Sequence, residues 1–289
     1  MNKYLELIEK IHASPFRLTF VSSGGGTNAI SELLKVPGAS NTVLESYIPY
    51  SKESMDTFLN KTPDHYCSLE TCLSMAANAF KKSKEIDQRT KTRYLLGIAI
   101  TANLATTYEK KGEHKFFIVI QAYNYTKYLE CYLIKGNRTR KQEEELITNC
   151  ALSLLAESCG FEYDLPKIDE EIKINKIKAE KSWEKLFNNK VDYISNNQNS
   201  PELIFPGSFN PLHEGHLKMK ELAEKRTGMH TTFEICANNA DKPPLTFYEI
   251  KRTIDQFQND ESWILTSAGR FSEKAKMFPN SVFIIGADT

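Results

Sequence analysis

The sequence predicts an α/β protein in two parts, the second a doubly wound parallel sheet. Three observations lead there. Beyond residue 201, short apolar strands alternate with helical stretches, and that rhythm implies parallel strands joined by crossovers. Residues 16–35 read as a strand, a glycine loop and a helix. Between these regions, residues 169–187 turn charged, and residues 188–201 are rich in Asn and Ser. The expected layout is therefore a first domain over 1–160, a helical linker over 161–200 and a second domain over 201–289.

A chain of 289 residues has room for two domains of ordinary size. With 40% hydrophobic and 26% charged residues it has the make-up of a soluble globular protein. Its 37 basic and 37 acidic residues balance. That argues against a nucleic-acid footprint while leaving room for a local phosphate pocket. No apolar run reaches the length of a membrane span, so no membrane partner is expected. The acid-bearing amphipathic start is neither a signal peptide nor a typical transit peptide. Six cysteines without a CxxC pair imply reduced thiols and a cytoplasmic setting.

In the first part, Tyr4, Leu5, Ile8 and Ile11 mark one face of a helix over 2–12. Phe16 to Val21 is a strand. It runs into Ser22-Ser23-Gly24-Gly25-Gly26-Thr27 and a helix to Lys35, which is either a phosphate cradle or a flexible turn. A strand is expected over 42–49 and a helix opens after Tyr50. Cys67 to Lys82 forms a helix with a small-residue face (Ser74, Ala76, Ala77, Ala79). Tyr94 to Thr101 is a strand, 116–123 and 128–134 pair as strands, and 141–159 is a long helix. The charged run 169–187 is expected to be helical, with Trp183 and Leu186 on its sticky side.

In the second part, Leu203-Ile204-Phe205 is a buried strand that runs into Pro206-Gly207-Ser208-Phe209-Asn210-Pro211-Leu212-His213-Glu214-Gly215-His216. Gly207 would let the backbone approach a ligand, and Pro211 stiffens the turn. The helix from Glu214 presents free N–H groups and a positive dipole end, where phosphate binds readily. His213 and His216 sit at that end and can face one way. Such a site suits attack of one phosphate on the α-phosphate of a nucleoside triphosphate, a reaction that needs positioning and aimed positive donors. A zinc pair is disfavoured because no third ligand cluster lies nearby and the pattern is not HExxH, so no protein-bound metal is expected. Strands follow at 231–237, 263–266 and 282–285, with helices at 246–257 and 271–277. Thr246 and Glu249 form a capping box. In a 3-2-1-4 order, the strands at Ile204 and Val282 are neighbours, which would bring Gly286 and Asp288 near the two histidines. Lys242 lies in a loop over the same edge, either meeting phosphate or solvated, and Asp288 is either a ligand or a helix N-cap.

Gly207-Ser208-Phe209-Asn210-Pro211 with His213-Glu214-Gly215-His216 resembles the HxGH nucleotidylyltransferase superfamily, above all its nicotinamide and nicotinate mononucleotide adenylyltransferases. The resemblance implies a Rossmann-like domain. It implies transfer of an adenylyl group from ATP, with Mg2+, to a pyridine mononucleotide. His213 and His216 would hold the transferring phosphate. Gly207, Ser208, Phe209 and Asn210 would line the nucleotide, with Lys242, Gly286 and Asp288 contributing. A later Ser/Thr-rich segment with an arginine, which the resemblance also implies, does not occur before Thr289. The domain is therefore expected to be truncated, the chain poorly active, and the Val282 strand an open apolar edge.

Ser23 with its glycine loop, Val36-Pro37-Gly38-Ala39-Ser40, Tyr50-Ser51, Ser68 to Phe80 and Gly136-Asn137-Arg138 resemble the carboxy-terminal domain of the CinA family, nicotinamide mononucleotide deamidases. That implies a CinA-like α/β fold over 1–160 and self-association. The serine, tyrosine and lysine positions of that family match Ser40, Tyr50 and Met55 here. Methionine cannot accept a proton, so the deamidase site is expected to be degenerate. Lys52 is the one alternative base. Three readings stay open: a nucleotidyltransferase, an amidohydrolase through the first domain, and a non-catalytic nucleotide sensor.

Overall fold

The computed structural model describes residues 4–108, 110–162, 164–238 and 242–286. The chain divides into two compact units, Met1–Lys178 and Ala179–Thr289.

In the first unit the elements run α1 (Leu5–Ala13), β1 (Arg17–Ser23), α2 (Thr27–Lys35), β2 (Val43–Tyr47), α3 (Lys52–Leu59), α4 (Leu69–Ile86), β3 (Leu95–Asn103), β4 (His114–Ala122), β5 (Tyr125–Leu133), α5 (Arg140–Ser158) and β6 (Ile172–Lys178). The described strands form one sheet in the order β2-β1-β3-β4-β5-β6. The first three are parallel and the rest antiparallel. Alternate residues of the strands (Leu18, Phe20, Ile98, Ile100, Phe116, Ile118) bury one face under α1, α2 and α5 through Ile8, Leu33, Ile147 and Leu155. On the other face α4 lies directly on β3. A Cβ at Gly97 would stand 2.3 Å from the Ala76 carbonyl oxygen, so only glycine and the small-residue face of α4 allow that approach.

The run 169–187 is not one helix, as expected from its charge. Residues 172–178 form β6, antiparallel to β5, and only Lys181–Phe187 is helical (α6). Ile172 and Ile174 alternating with Lys173 and Asn175 also suit an edge strand, where lysine discourages further pairing. The expected linker is thereby divided between the two units.

The second unit adds β7 (Tyr193–Ser195), β8 (Leu203–Pro206), α7 (Glu214–Thr227), β9 (Thr231–Cys236), α8 (Phe247–Ile254), β10 (Ser262–Thr266), α9 (Phe271–Met277) and β11 (Val282–Phe283). The sheet order is β11-β8-β9-β10-β7. The first four strands are parallel, and β7, which the sequence reading did not find, pairs antiparallel at the edge. β11 lies beside β8, as the 3-2-1-4 order requires. Among the described residues it forms the sheet edge away from β7, with Val282 and Ile285 exposed. Thr246 and Glu249 form the anticipated capping box. Trp183 of α6 stacks on Phe247 of α8 with ring centroids 6.2 Å apart.

All six cysteines are free thiols. Burial pushes those of Cys150 and Cys159 up to about 12, which makes them poor nucleophiles. Among the described residues, no helix is long and apolar enough to cross a membrane.

Candidate active site of the second unit

Four parallel strands end at one edge of the second sheet, and the segments leaving β8, β9 and β11 carry the residues singled out in the sequence. β8 ends at Pro206, and the Gly207 N–H still donates to the Glu234 carbonyl of β9 at 3.0 Å. The chain then turns through Ser208 to Leu212 and enters α7 with His213 as N-cap.

The turn is held from inside. Phe209 is fully buried, and its ring meets Phe205, Phe233, Phe257 and His216 at centroid distances of 5.5, 5.1, 5.8 and 5.1 Å. Its backbone takes a positive φ of 43°, costly for a non-glycine residue and sustained here by the buried ring. A Cβ at Gly207 would stand 2.5 Å from the Phe209 ring, so glycine makes room for phenylalanine. Phe209 thus anchors the turn from the core, while Ser208 and Asn210 are exposed on the edge.

Gln256, just past α8, clamps this turn. Its Oε1 accepts from the Leu212 N–H at 2.8 Å and its Nε2 donates to the Phe209 carbonyl at 2.9 Å. The sequence reading missed Gln256. Its only local signal is a polar residue beside Phe257.

The two imidazoles stack with ring centroids 3.7 Å apart and planes 19° apart. The His213 N–H donates to His216 Nδ1 at 3.3 Å. Gly215 allows this, because a Cβ there would lie 3.0 Å from the His213 ring. His213 is exposed and His216 half-buried. Burial, and then the neighbouring His213, hold the His216 imidazole below its ordinary pKa. Lys242 and Gly286 are exposed on segments leaving the same edge after β9 and β11, and Asp288 lies outside the described residues. At the same end of the sheet, in register with Pro206, Glu234 is buried and ties Lys274 of α9 to the sheet at 2.7 Å. These contacts yield a rigid turn with exposed polar atoms, two imidazoles and a helix N-terminus facing solvent. That arrangement can bind and polarise phosphate.

The first unit does not assemble the expected serine, tyrosine and lysine positions. Ser40 lies before β2, where its carbonyl accepts from Arg17 at 3.3 Å. Tyr50 lies past the other end of the same strand, and Met55 is buried in α3. Lys52 stands over the Tyr66 ring at 5.6 Å. On Tyr50's side, the Ser23 hydroxyl donates to the Pro49 carbonyl at 3.0 Å. Nor is the glycine loop an open phosphate cradle. The Glu144 carboxylate of α5 accepts from the Gly26 N–H at 2.9 Å and from the Asn28 N–H at 3.2 Å. An internal carboxylate thus takes the place a phosphate would occupy at the start of α2.

Solved structures similar to this chain include the competence/damage inducible protein CihA from Agrobacterium tumefaciens, 18% identical, covering 53% of this chain and 93% of that one, TM-score 0.43. A CinA superfamily protein from Klebsiella pneumoniae is 14% identical over 54% of this chain and 96% of that one, TM-score 0.43. One from Enterobacter cloacae is 16% identical over 53% and 90%, TM-score 0.44. No curated protein matches the chain. Residues 204–289 match the family described as cytidylyltransferase-like, so the strand, turn and helix that carry His213 and His216 lie in a cytidylyltransferase-like domain.

Proposed function

We propose that the second unit transfers an adenylyl group from ATP to nicotinamide or nicotinate mononucleotide. The acceptor's phosphate oxygen attacks the α-phosphorus, the bond to the bridging oxygen of the β-phosphate breaks, and pyrophosphate leaves with that electron pair. The observation that carries this reading is the pair of stacked imidazoles at the N-terminus of α7, above a turn locked by Phe209 and Gln256.

His213 and His216 point donors at the charge that builds on the transferring phosphate, and the first N–H groups of α7 add to them. Ser208 and Asn210 offer polar atoms beside the nucleotide, and Lys242 supplies a cation over the same edge. Asp288 is proposed for the ribose side. Among the described residues no cluster of three acidic, histidine or cysteine side chains forms a metal cage. Mg2+ would therefore be held chiefly by the phosphates and water, its usual habit, and would supply charge neutralisation there. A reducing cytoplasmic setting suits the free thiols. The amidohydrolase reading draws no support from Ser40, Tyr50 and Met55, which stand apart.

Calorimetry with ATP or CTP and Mg2+, followed by chromatography after adding either mononucleotide, tests this. ATP should bind, His216→Ala should weaken binding about tenfold or more, and dinucleotide plus pyrophosphate should form, though slowly. Absence of saturable binding at about millimolar nucleotide would overturn the reading. Binding without transfer to either acceptor would replace it with a non-catalytic sensor. Preference for CTP would move it to cytidylyl transfer.

A further inference from the structure

The outward face of α7 is a surface that complements itself. No residue of this helix is fully buried, and what holds it on the sheet is largely polar. The His216 ring meets Phe205 and Phe209. One turn on, Lys220 Nζ reaches the Glu261 carboxylate at 3.1 Å. One turn further, Glu224 Oε1 accepts from the Thr231 N–H at 2.8 Å. These three residues are four apart, so they share one stripe, and that stripe fixes which side of α7 turns outward.

At about 100° per residue, Glu214, Leu217, Lys218, Glu221, Leu222 and Lys225 fall within an outward arc of about 140°. All six are exposed, Leu222 at 67% and Leu217 at 42%. Exposed leucines are ordinary when taken singly. The order of their charged neighbours is what sets these two apart.

A second α7 can be laid antiparallel on the first, about a two-fold axis between Met219 and Lys220. Leu217 then lies opposite the partner's Leu222, Lys218 opposite the partner's Glu221, and Glu214 opposite the partner's Lys225. The axis repeats each pair, and among these six positions no like charges are opposed. A parallel pairing would set each charge against its own kind. Within one helix Lys218 already lies 3.8 Å from Glu214, so in the pair it bridges two acids.

We propose that α7 is a docking surface for a second copy of this chain, in that antiparallel arrangement. The proposal is independent of the reaction assigned to the second unit. One helix pair covers less than the roughly 800 Å² per partner of a standard interface, so the dimer is weak. Its exposed ion pairs make it sensitive to salt.

Sedimentation velocity on the full chain tests this. The parent should associate with a dissociation constant on the order of 10–100 μM, more weakly as salt rises. By symmetry Lys218→Glu sets acid against acid twice, and Glu221→Lys sets lysine against lysine twice. Each variant alone should associate about tenfold or more weakly, with circular dichroism unchanged. Mixing the two variants puts opposite charges together again and should restore association to within about threefold of the parent. Association through any other face, the first unit included, would not respond to these substitutions. A parent that stays monomeric at about 1 mM, association unchanged in either variant, or no recovery on mixing would overturn the proposal.

Discussion

His216 is the residue on which the candidate site of the second unit turns. Its ring is half-buried against Phe205 and Phe209 and stacked on His213. Burial and that neighbour disfavour its charged form, so in the free protein it gains a proton at lower pH than an ordinary imidazole does. A triphosphate beside it would reverse the preference and raise its pKa. Nucleotide binding should then take up protons, and affinity for Mg–ATP should rise as pH falls from about 8 to about 6, by at most about tenfold per unit for one linked proton. The gain levels off below the free-state pKa. Calorimetry in buffers of different ionisation heat measures that uptake. His216→Ala should reduce it, and equal uptake in parent and variant would place the linked proton elsewhere. The imidazole pair is legible in the sequence, because HxGH at a helix start is a local pattern. The stacking is not, because it depends on Phe205 and Phe209 closing around one ring.

At the scale of elements, the turn between β8 and α7 shows how a local motif depends on a distant side chain. Phe209 occupies a left-handed backbone that costs on the order of 1–3 kcal/mol. Its ring, buried among Phe205, Phe233 and Phe257, offsets that cost. Gln256 then satisfies one N–H and one carbonyl that the turn leaves free. Gln256→Leu should therefore lower stability by about 1–3 kcal/mol in a urea titration, and weaken nucleotide binding beyond what lost stability explains. Gln256→Glu keeps the acceptor for Leu212 and loses the donor to Phe209, so its affinity should fall between the two. Unchanged ATP affinity in both variants would show that the turn holds its shape without the clamp. At the start of α2 the same physics runs the other way. Glu144 satisfies the N-terminal donors from within, so a glycine-rich strand end that reads as a phosphate cradle is a buttress between α2 and α5.

At the scale of the whole molecule, the first unit carries two acids whose pKa values report on tertiary contacts. Hydrogen bonding from Arg138 holds the Glu170 carboxyl down to about 2, and the Thr90 hydroxyl, helped by Arg17, does the same for Asp87. Both values lie below those of an unfolded chain, about 4. Their contribution to stability is therefore full above about pH 4 and is lost as pH falls toward 2. The unfolding midpoint of the first unit should drop through that window. Glu170→Gln should start lower at neutral pH and fall less steeply in acid. A variant with the same acid slope as the parent would show that the Arg138 pair does not drive acid unfolding.

Taken by itself, the sequence determined what depends on near neighbours: the strand, turn and helix around His213 and His216, the Thr246 capping box, and the alternation that sets a parallel sheet. In a 3-2-1-4 order it also implied that the Val282 strand lies beside the Ile204 strand. Only the tertiary structure decided matters of long-range pairing. Residues 172–178 mix three isoleucines with lysines and an asparagine, and they form a strand because the earlier β5 leaves an edge open. Ser40 and Tyr50 are ten positions apart, yet β2 places them at opposite ends of the sheet. Glu144 and Gln256 act on backbone groups many residues away. Spacing along a chain encodes backbone geometry, whereas which side chain meets which carbonyl or N–H is set by packing of the whole fold.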